Sequence, residues 1–193
     1  MNIKQNYLKH AIVLFLLLLL MQPGRAWAGY ENVEFSSLTN HDGLTNSQVG
    51  AILKDTRGYI WFGTQSGLCR FDGFRMKTFY YSNTDDKSLP NNSVDELQQD
   101  YDGNIWVHTS VGYSIYKYDE EQFDRKPEEW LKSIHVQGPP YKLLIDKDKN
   151  MWIAVYGQGL YYHNAKTKNT YLFKFTKKAQ PGCLKEGNIS KIT

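Results

Sequence analysis

The segment "DTRGYIWFGTQSGL" (55–68) returns as "DYDGNIWVHTSVGY" (100–113), and again, with one residue inserted, as "DKDKNMWIAVYGQGL" (146–160). Aligned on Trp61, Trp106 and Trp152, the copies are 45 and 46 residues apart. Val49, Val94 and Pro140 lie twelve residues before these tryptophans, and Ile52, Leu97 and Leu143 nine before. Gly67-Leu68, Gly112-Tyr113 and Gly159-Leu160 follow them, and each unit closes on an aromatic stretch: "KTFYY" (77–81), a weaker "EQFDR" (121–125) and "TYLFKF" (170–175). A repeat of this length, made of short apolar runs and turn residues, constrains the chain to several copies of one all-β unit.

Each copy reads as four antiparallel strands. "VGAILKD" places Val49, Ala51 and Leu53 on one face and Ile52 on the other, the pattern expected of a strand buried on both sides. Asp55 to Gly58 is a turn, because Asp can bond its own backbone and Gly accepts positive φ. "YIWFGT" is the second strand, Gly67 permits a tight return into the third, and Asp72-Gly73 signals a hairpin before the fourth. The three tryptophans are predicted to fill the space between units, their N–H groups bonded to backbone. Four-stranded units at this period are blades of a β-propeller, since one blade cannot bury its own faces.

The repeats run over 44–88, 89–134 and 135–183, and "LKEGNISKIT" (184–193) matches the start of another. "ENVEF" (31–35) reads as a fourth strand with no blade before it. Propellers close with about four to eight blades, so three blades, an orphan strand and a fourth start describe an incomplete ring. One helix is expected within this frame, near "KPEEWLKS" (126–133), where Pro127 suits a first turn and Glu128 and Glu129 a helix N-terminus.

Residues 1–28 read as a signal peptide: Lys4 and Lys9 precede an apolar run from Ala11 to Met21, and "AWA" (26–28) offers a cleavage site. That run is too short for a membrane span of about 20 residues. The predicted mature chain, 29–193, is therefore exported to the periplasm. The leader carries three of the 23 basic residues and no acid, leaving 20 basic against 20 acidic. Such a balance gives no electrostatic footprint for nucleic acid. Cys69 and Cys183 are too few and too distant for a disulfide framework and are expected as unpaired thiols.

From Phe35 to Phe74 the chain follows, almost unbroken, the pattern F-x-x-L-T-x-x-D-G-L-x-x-x-x-V-x-x-I-x-x-D-x-x-G-x-I-W-F-G-T-x-x-G-L-x-R-F-D-G-x-x-F. This resembles the two-component regulator propeller, the periplasmic sensor region of hybrid two-component histidine kinases. The second unit departs with His108 for Gly and Tyr113 for Leu; the third has Lys149 for the turn Gly and Ala154 for the Gly after Trp. The resemblance implies an N-terminal fragment of a membrane-anchored parent that senses glycan-derived oligosaccharides and signals to a histidine kinase. Its implied partners are an oligosaccharide in the complete protein, the remaining blades, the downstream kinase and, in the parent, a second copy as homodimer. Alternatives are a secreted propeller lyase or glycosidase, or a truncated, non-functional gene product.

No nucleophile–base pair is visible among His41, His108, His135 and His163, so no catalytic residue, and no enzyme, is expected. "DYDGN" and "DKDKN" resemble the start of a calcium loop. The positions that need Gly and Glu hold Ile105 and Val111 in one, and Met151 and Gly157 in the other. Neither a metal nor a cofactor is expected. A ligand is expected on the loops between blades and between second and third strands. These carry His41, Asp42 and Asn46; Gln65 and Ser66; Asn91 and Asn92; and Tyr156 and Gln158.

Overall fold

The computed structural model describes residues 36–176 and 184–185. The predicted leader, the strand at 31–35, Cys183 and residues 186–193 of the fourth start lie outside the described residues. Sheet 1 contains β1 (Val49–Lys54), β2 (Ile60–Thr64), β3 (Gly67–Phe71) and β4 (Met76–Phe79). Sheet 2 contains β5 (Val94–Gln99), β6 (Ile105–Thr109), β7 (Gly112–Lys117) and β8 (Gln122–Asp124). Sheet 3 contains β9 (Pro140–Ile145), β10 (Met151–Val155), β11 (Gly159–His163) and β12 (Thr170–Thr176). Within each sheet the four strands lie in chain order, and neighbours pair antiparallel. The two-residue β13 (Leu184–Lys185) adds parallel to β12, much as Leu89 bridges Tyr81 beside sheet 1. The described sheets form an unclosed, incomplete propeller.

The first strand of every sheet carries a one-residue bulge at its start, at Gly50, Asp95 and Tyr141. A bulge re-aims the side chain it carries, and here it does so at the same register three times.

The predicted turns form, and their Asp residues do more than turn the chain. Asp55 Oδ1 accepts from the Arg57 and Tyr59 N–H groups, both at 2.9 Å, while Oδ2 accepts from Trp61 Nε1 at 2.7 Å. Asp100 repeats this with Asp102 N (3.0 Å), Asn104 N (2.9 Å) and Trp106 Nε1 (3.0 Å). Asp146 accepts from Asp148 N and Asn150 N, both at 2.9 Å, and from Asn150 Nδ2 at 3.1 Å. The Trp61 and Trp106 N–H groups therefore bond the turn carboxylates rather than backbone, correcting the sequence-based expectation. A carboxylate with two oxygens can close the turn with one and satisfy a buried indole with the other, which a single carbonyl cannot. Lys149 keeps the third turn in the left-handed region at φ 65°, where Gly58 and Gly103 sit at 93° and 87°.

Two cores lie between sheets. Trp61, Leu68 and Phe79 of sheet 1 pack against Val94, Leu97 and Val107 of sheet 2. Trp106, Tyr113 and Ile115 of sheet 2 pack against Leu143, Ile153 and Tyr161 of sheet 3. Each tryptophan sits second in the second strand of its sheet, and Trp61 and Trp106 are fully buried. Trp152 is only half-buried, because no described sheet lies on its face; Tyr162 and Tyr171 line up beside it. The opposite face shows the complementary correction. Ile52 is 66% exposed, whereas Leu97 and Leu143, at the same register, are buried against the preceding sheet. Burial on both sides thus holds for β5 and not for β1.

The helix expected near 126–133 is α1 (Pro127–Ser133), with Pro127 opening its first turn. Its Leu131, with Ile134 and Val136 after it, enters the core between sheets 2 and 3. Trp130 meets Trp106 edge-on at 5.3 Å between centroids.

Candidate functional site

The three β2–β3-type turns and the segments leading into the first strands lie at one end of the sheets, here the loop end. Hydrogen bonds tie these segments together. Asn46 Nδ2 donates to Ser66 Oγ (2.9 Å), Ser93 Oγ to Gln65 Oε1 (2.9 Å), and Ser93 N to Asn91 Oδ1 (2.8 Å). Gln158 Nε2 donates to the Gln137 carbonyl at 2.8 Å, and the Tyr161 hydroxyl donates to Gln158 Oε1. Among the residues expected from sequence, Asn46, Gln65, Ser66 and Asn91 are therefore brought together, and their polar groups brace the loops. Asn92 accepts from Tyr81 N at 2.7 Å. His41 and Asp42 stand apart: Asp42 caps its own turn through Thr39 N (2.8 Å), and a Cβ on Gly43 would meet Met76, at the far end of β4. The Thr39 backbone bond holds the Asp42 carboxyl below its usual value.

Between sheets 2 and 3 the loop end carries a different chemistry. A Cβ at Gly63 would lie 2.6 Å from Val94 Cγ1, so the junction of sheets 1 and 2 admits no side chain there, and Ala51 and Leu68 flank it. The same register in sheet 2 holds Glu96, His108 and Tyr113. His108 Nδ1 bonds Asp95 Oδ1 at 2.6 Å, and since a carboxylate only accepts, Nδ1 carries the proton. The imidazole lies against the Tyr113 ring, 4.4 Å between centroids. The Tyr113 hydroxyl donates to Glu96 Oε2 (2.9 Å) and accepts from Leu143 N (3.0 Å). Burial, and then the Glu96 charge, push the Tyr113 phenol well above its ordinary value. It is a fixed donor, not a base. Lys142 of β9 pairs with Glu96, clamping the two first strands together.

Beside that clamp, Tyr156 is 66% exposed and stacks on Tyr141, with centroids 4.2 Å and planes 30° apart. Of these residues only Tyr156 was expected from sequence. Asp95, Glu96, Tyr141 and Lys142 were missed, although His108 and Tyr113 were already visible as departures from the repeat. Among the described residues, no group of three or more His, Cys, Asp or Glu is arranged to hold a metal. The turn carboxylates are occupied by N–H donors as described above. Cys69 is a free, buried thiol.

An unclosed array of four-stranded antiparallel sheets, packed on one another through two apolar cores, defines a β-propeller segment. Two stretches of it, residues 43–66 and 88–110, match the family model described as two component regulator propeller. A histidine kinase of Formosa agariphila, "Histidine kinase P4", is 42% identical over 57 residues, 30% of this chain and 4% of that protein. Among solved structures, the chain is similar to the extracellular domain of a B. thetaiotaomicron protein assigned as a hybrid two component system. That match has a TM-score of 0.52 at 24% identity, over 72% of this chain and 20% of that one. The chain thus spans only a small part of either relative, and the structural match speaks to the fold.

Proposed function

We propose that this chain is a periplasmic, ligand-sensing propeller segment of a hybrid two-component regulator whose complete form senses glycan-derived oligosaccharides and signals to a histidine kinase. The observation that carries this reading is the exposed Tyr156–Tyr141 stack beside the Asp95–His108 pair. An aromatic face backed by a second ring, next to charged hydrogen-bonding groups, suits the apolar face and hydroxyls of a sugar. Similarity to two-component propeller repeats and to an extracellular domain supports the sensory context. The protonated Tyr113 and the fully engaged turn carboxylates support binding over catalysis.

The test is genetic. Removing the codons for 37–193 from the gene in its host is expected to abolish transcription of glycan-degradation genes induced by purified polysaccharides. Unchanged induction on every polysaccharide would overturn the proposal. Export is checked by mass spectrometry, with Gly29 expected as the first residue of periplasmic protein and an intact Met1 refuting cleavage.

A further inference from the structure

A cleft of about 580 Å³ lies between the chain that leaves α1 and the outer strands β11 and β12, and none of Asp95, His108, Tyr141 and Tyr156 lines it. Alternation along β12 puts Thr170, Leu172 and Lys174 on one face, and Leu172 packs there on the core between sheets 2 and 3. Lys174 continues that face beyond the core and lines the cleft. The opposite wall is the tail of α1. His135 N donates to Lys132 O at 3.0 Å and Val136 N to Leu131 O at 2.9 Å, which closes the helix with His135 at φ 64°. Glycine meets such a backbone at least cost, and the histidine ring is not used by the turn. Both walls are fixed. Thr170 Oγ1 donates to the Ile134 carbonyl at 2.6 Å, and Gln158, which accepts from the Tyr161 hydroxyl, donates Nε2 to the Gln137 carbonyl at 2.8 Å. Among the described residues, the His135 imidazole, the Lys174 ammonium and the Gln137 carboxamide have no hydrogen-bond or ion-pair partner, and no Asp or Glu lines the cleft. Two other clefts differ: one sets Asp86, Glu120 and Asp124 beside Lys87, Lys117 and Arg125, the other Asp72 beside Arg70. Opposite charges answer one another there; here the positive charge is left over.

We propose that this cleft is a binding site for a small organic anion, a single carboxylate or phosphate group carried on a partly apolar body. It is a second site, and it does not depend on the saccharide reading above. Lys174 supplies the positive charge, and His135 and Gln137 supply N–H donors from the facing wall. Hydrogen bonds to an ionised acceptor are about twice as strong as those between neutral groups, so an anion gains more from these donors than a hydroxyl does. Leu172 and Phe175 give the cleft an apolar side against which a hydrocarbon body can rest. A neutral ligand leaves the Lys174 charge unanswered, and a cation is repelled by it. The volume falls within the range of small-molecule sites, about 300–1,000 Å³. Because the Thr170 and Gln158 bonds set both walls before a ligand arrives, binding has little ordering cost to meet.

The experiment titrates the purified full chain with phenyl phosphate and benzoate, and with benzyl alcohol and benzylamine, which keep the ring and change the charge. Binding is read by calorimetry and by NMR shifts of the backbone amides. The anions are expected to bind, more weakly as sodium chloride is added, and to move the signals of His135, Gly157 and Leu172; the alcohol and the amine are expected not to. Phenyl phosphate alone would identify phosphate as the group read and benzoate alone a carboxylate, and either outcome upholds the site. Lys174→Gln and His135→Gly are each expected to weaken anion binding about tenfold, the loss of one bond to a charged group. His135→Gly should melt no lower than the unaltered chain, because glycine suits φ 64°; a lower melting point would make the ring a support of the turn and overturn its place in the site. Benzyl alcohol or benzylamine bound as tightly as the anions, anion binding untouched by both substitutions, or no anion bound would each overturn the proposal. The deletion test above decides the sensing reading separately.

Discussion

Replacing Asp100 by Ala tests the physical core of the repeat. Asp100 is 2% exposed and accepts from Asp102 N, Asn104 N and the indole of Trp106, which is 1% exposed. After truncation the two turn N–H groups, on partly exposed residues, can rotate to water. The Trp106 N–H cannot, and a buried donor left unpaired costs about 1–3 kcal/mol. With about 1 kcal/mol for each lost turn bond, Asp100→Ala is expected to cost about 4 kcal/mol. The same substitution at Asp146 provides the control. Trp152 is only half-buried, so the loss there should be about 2 kcal/mol, the turn bonds alone. The two carboxyls already differ in titration. Burial raises Asp100 above its ordinary value; at Asp146 the opposing effect of burial is outweighed by bonds from Asn150 and Asp148, and its value is lowered. Asp100→Asn should fall between, since one amide oxygen can still serve the turn while the NH2 faces the indole donor. The assay is urea unfolding followed by tryptophan fluorescence and by circular dichroism, comparing midpoints at unchanged slope. Equal losses at Asp100 and Asp146, or a loss below about 1 kcal/mol at Asp100, would show that the indole bond is not what the buried carboxylate is for.

Gly159→Ala should cost well over 1 kcal/mol, because φ is 136° and the new Cβ would lie 2.1 Å from the Phe173 carbonyl oxygen. Gly112→Ala, at φ 118° with nothing within 4 Å, should cost only the backbone strain of about 1 kcal/mol; equal losses in the same urea assay would refute the contact argument. His163 is fully buried, and burial, followed by the Lys168 charge, lowers its pKa below 6.5. The unfolded chain then binds the proton more readily, so this contribution to stability is present above about pH 6.5 and is lost as pH falls through that value toward the folded one. Thermal melts from pH 7.5 to 5 should show that slope in the native chain and a shallower one in His163→Gln; identical slopes would remove His163 as its source.

The repeat at 45 and 46 residues was enough to place twelve strands, because strand, turn and return signals recur at fixed offsets and each signal is local. Pro127 and the two glutamates likewise announced α1 from neighbours in sequence. Which faces are covered was not local. Ile52 and Leu97 read alike as sequence, yet one is exposed and the other buried, because sheet 2 has a described sheet in front of it and sheet 1 has none. The partner of the indole N–H was also beyond the pattern, since Asp55 and Trp61 read as a turn residue and a core residue until the fold set them 2.7 Å apart. The loop residues chosen for their amides turned out to brace one another. The Asp95–His108 and Glu96–Lys142 pairs join residues 13 and 46 apart in the chain. Hydrophobic periodicity and turn chemistry act within one repeat and are written in the chain. Charge pairing acts across strands and sheets, so its geometry exists only once neighbouring sheets have packed.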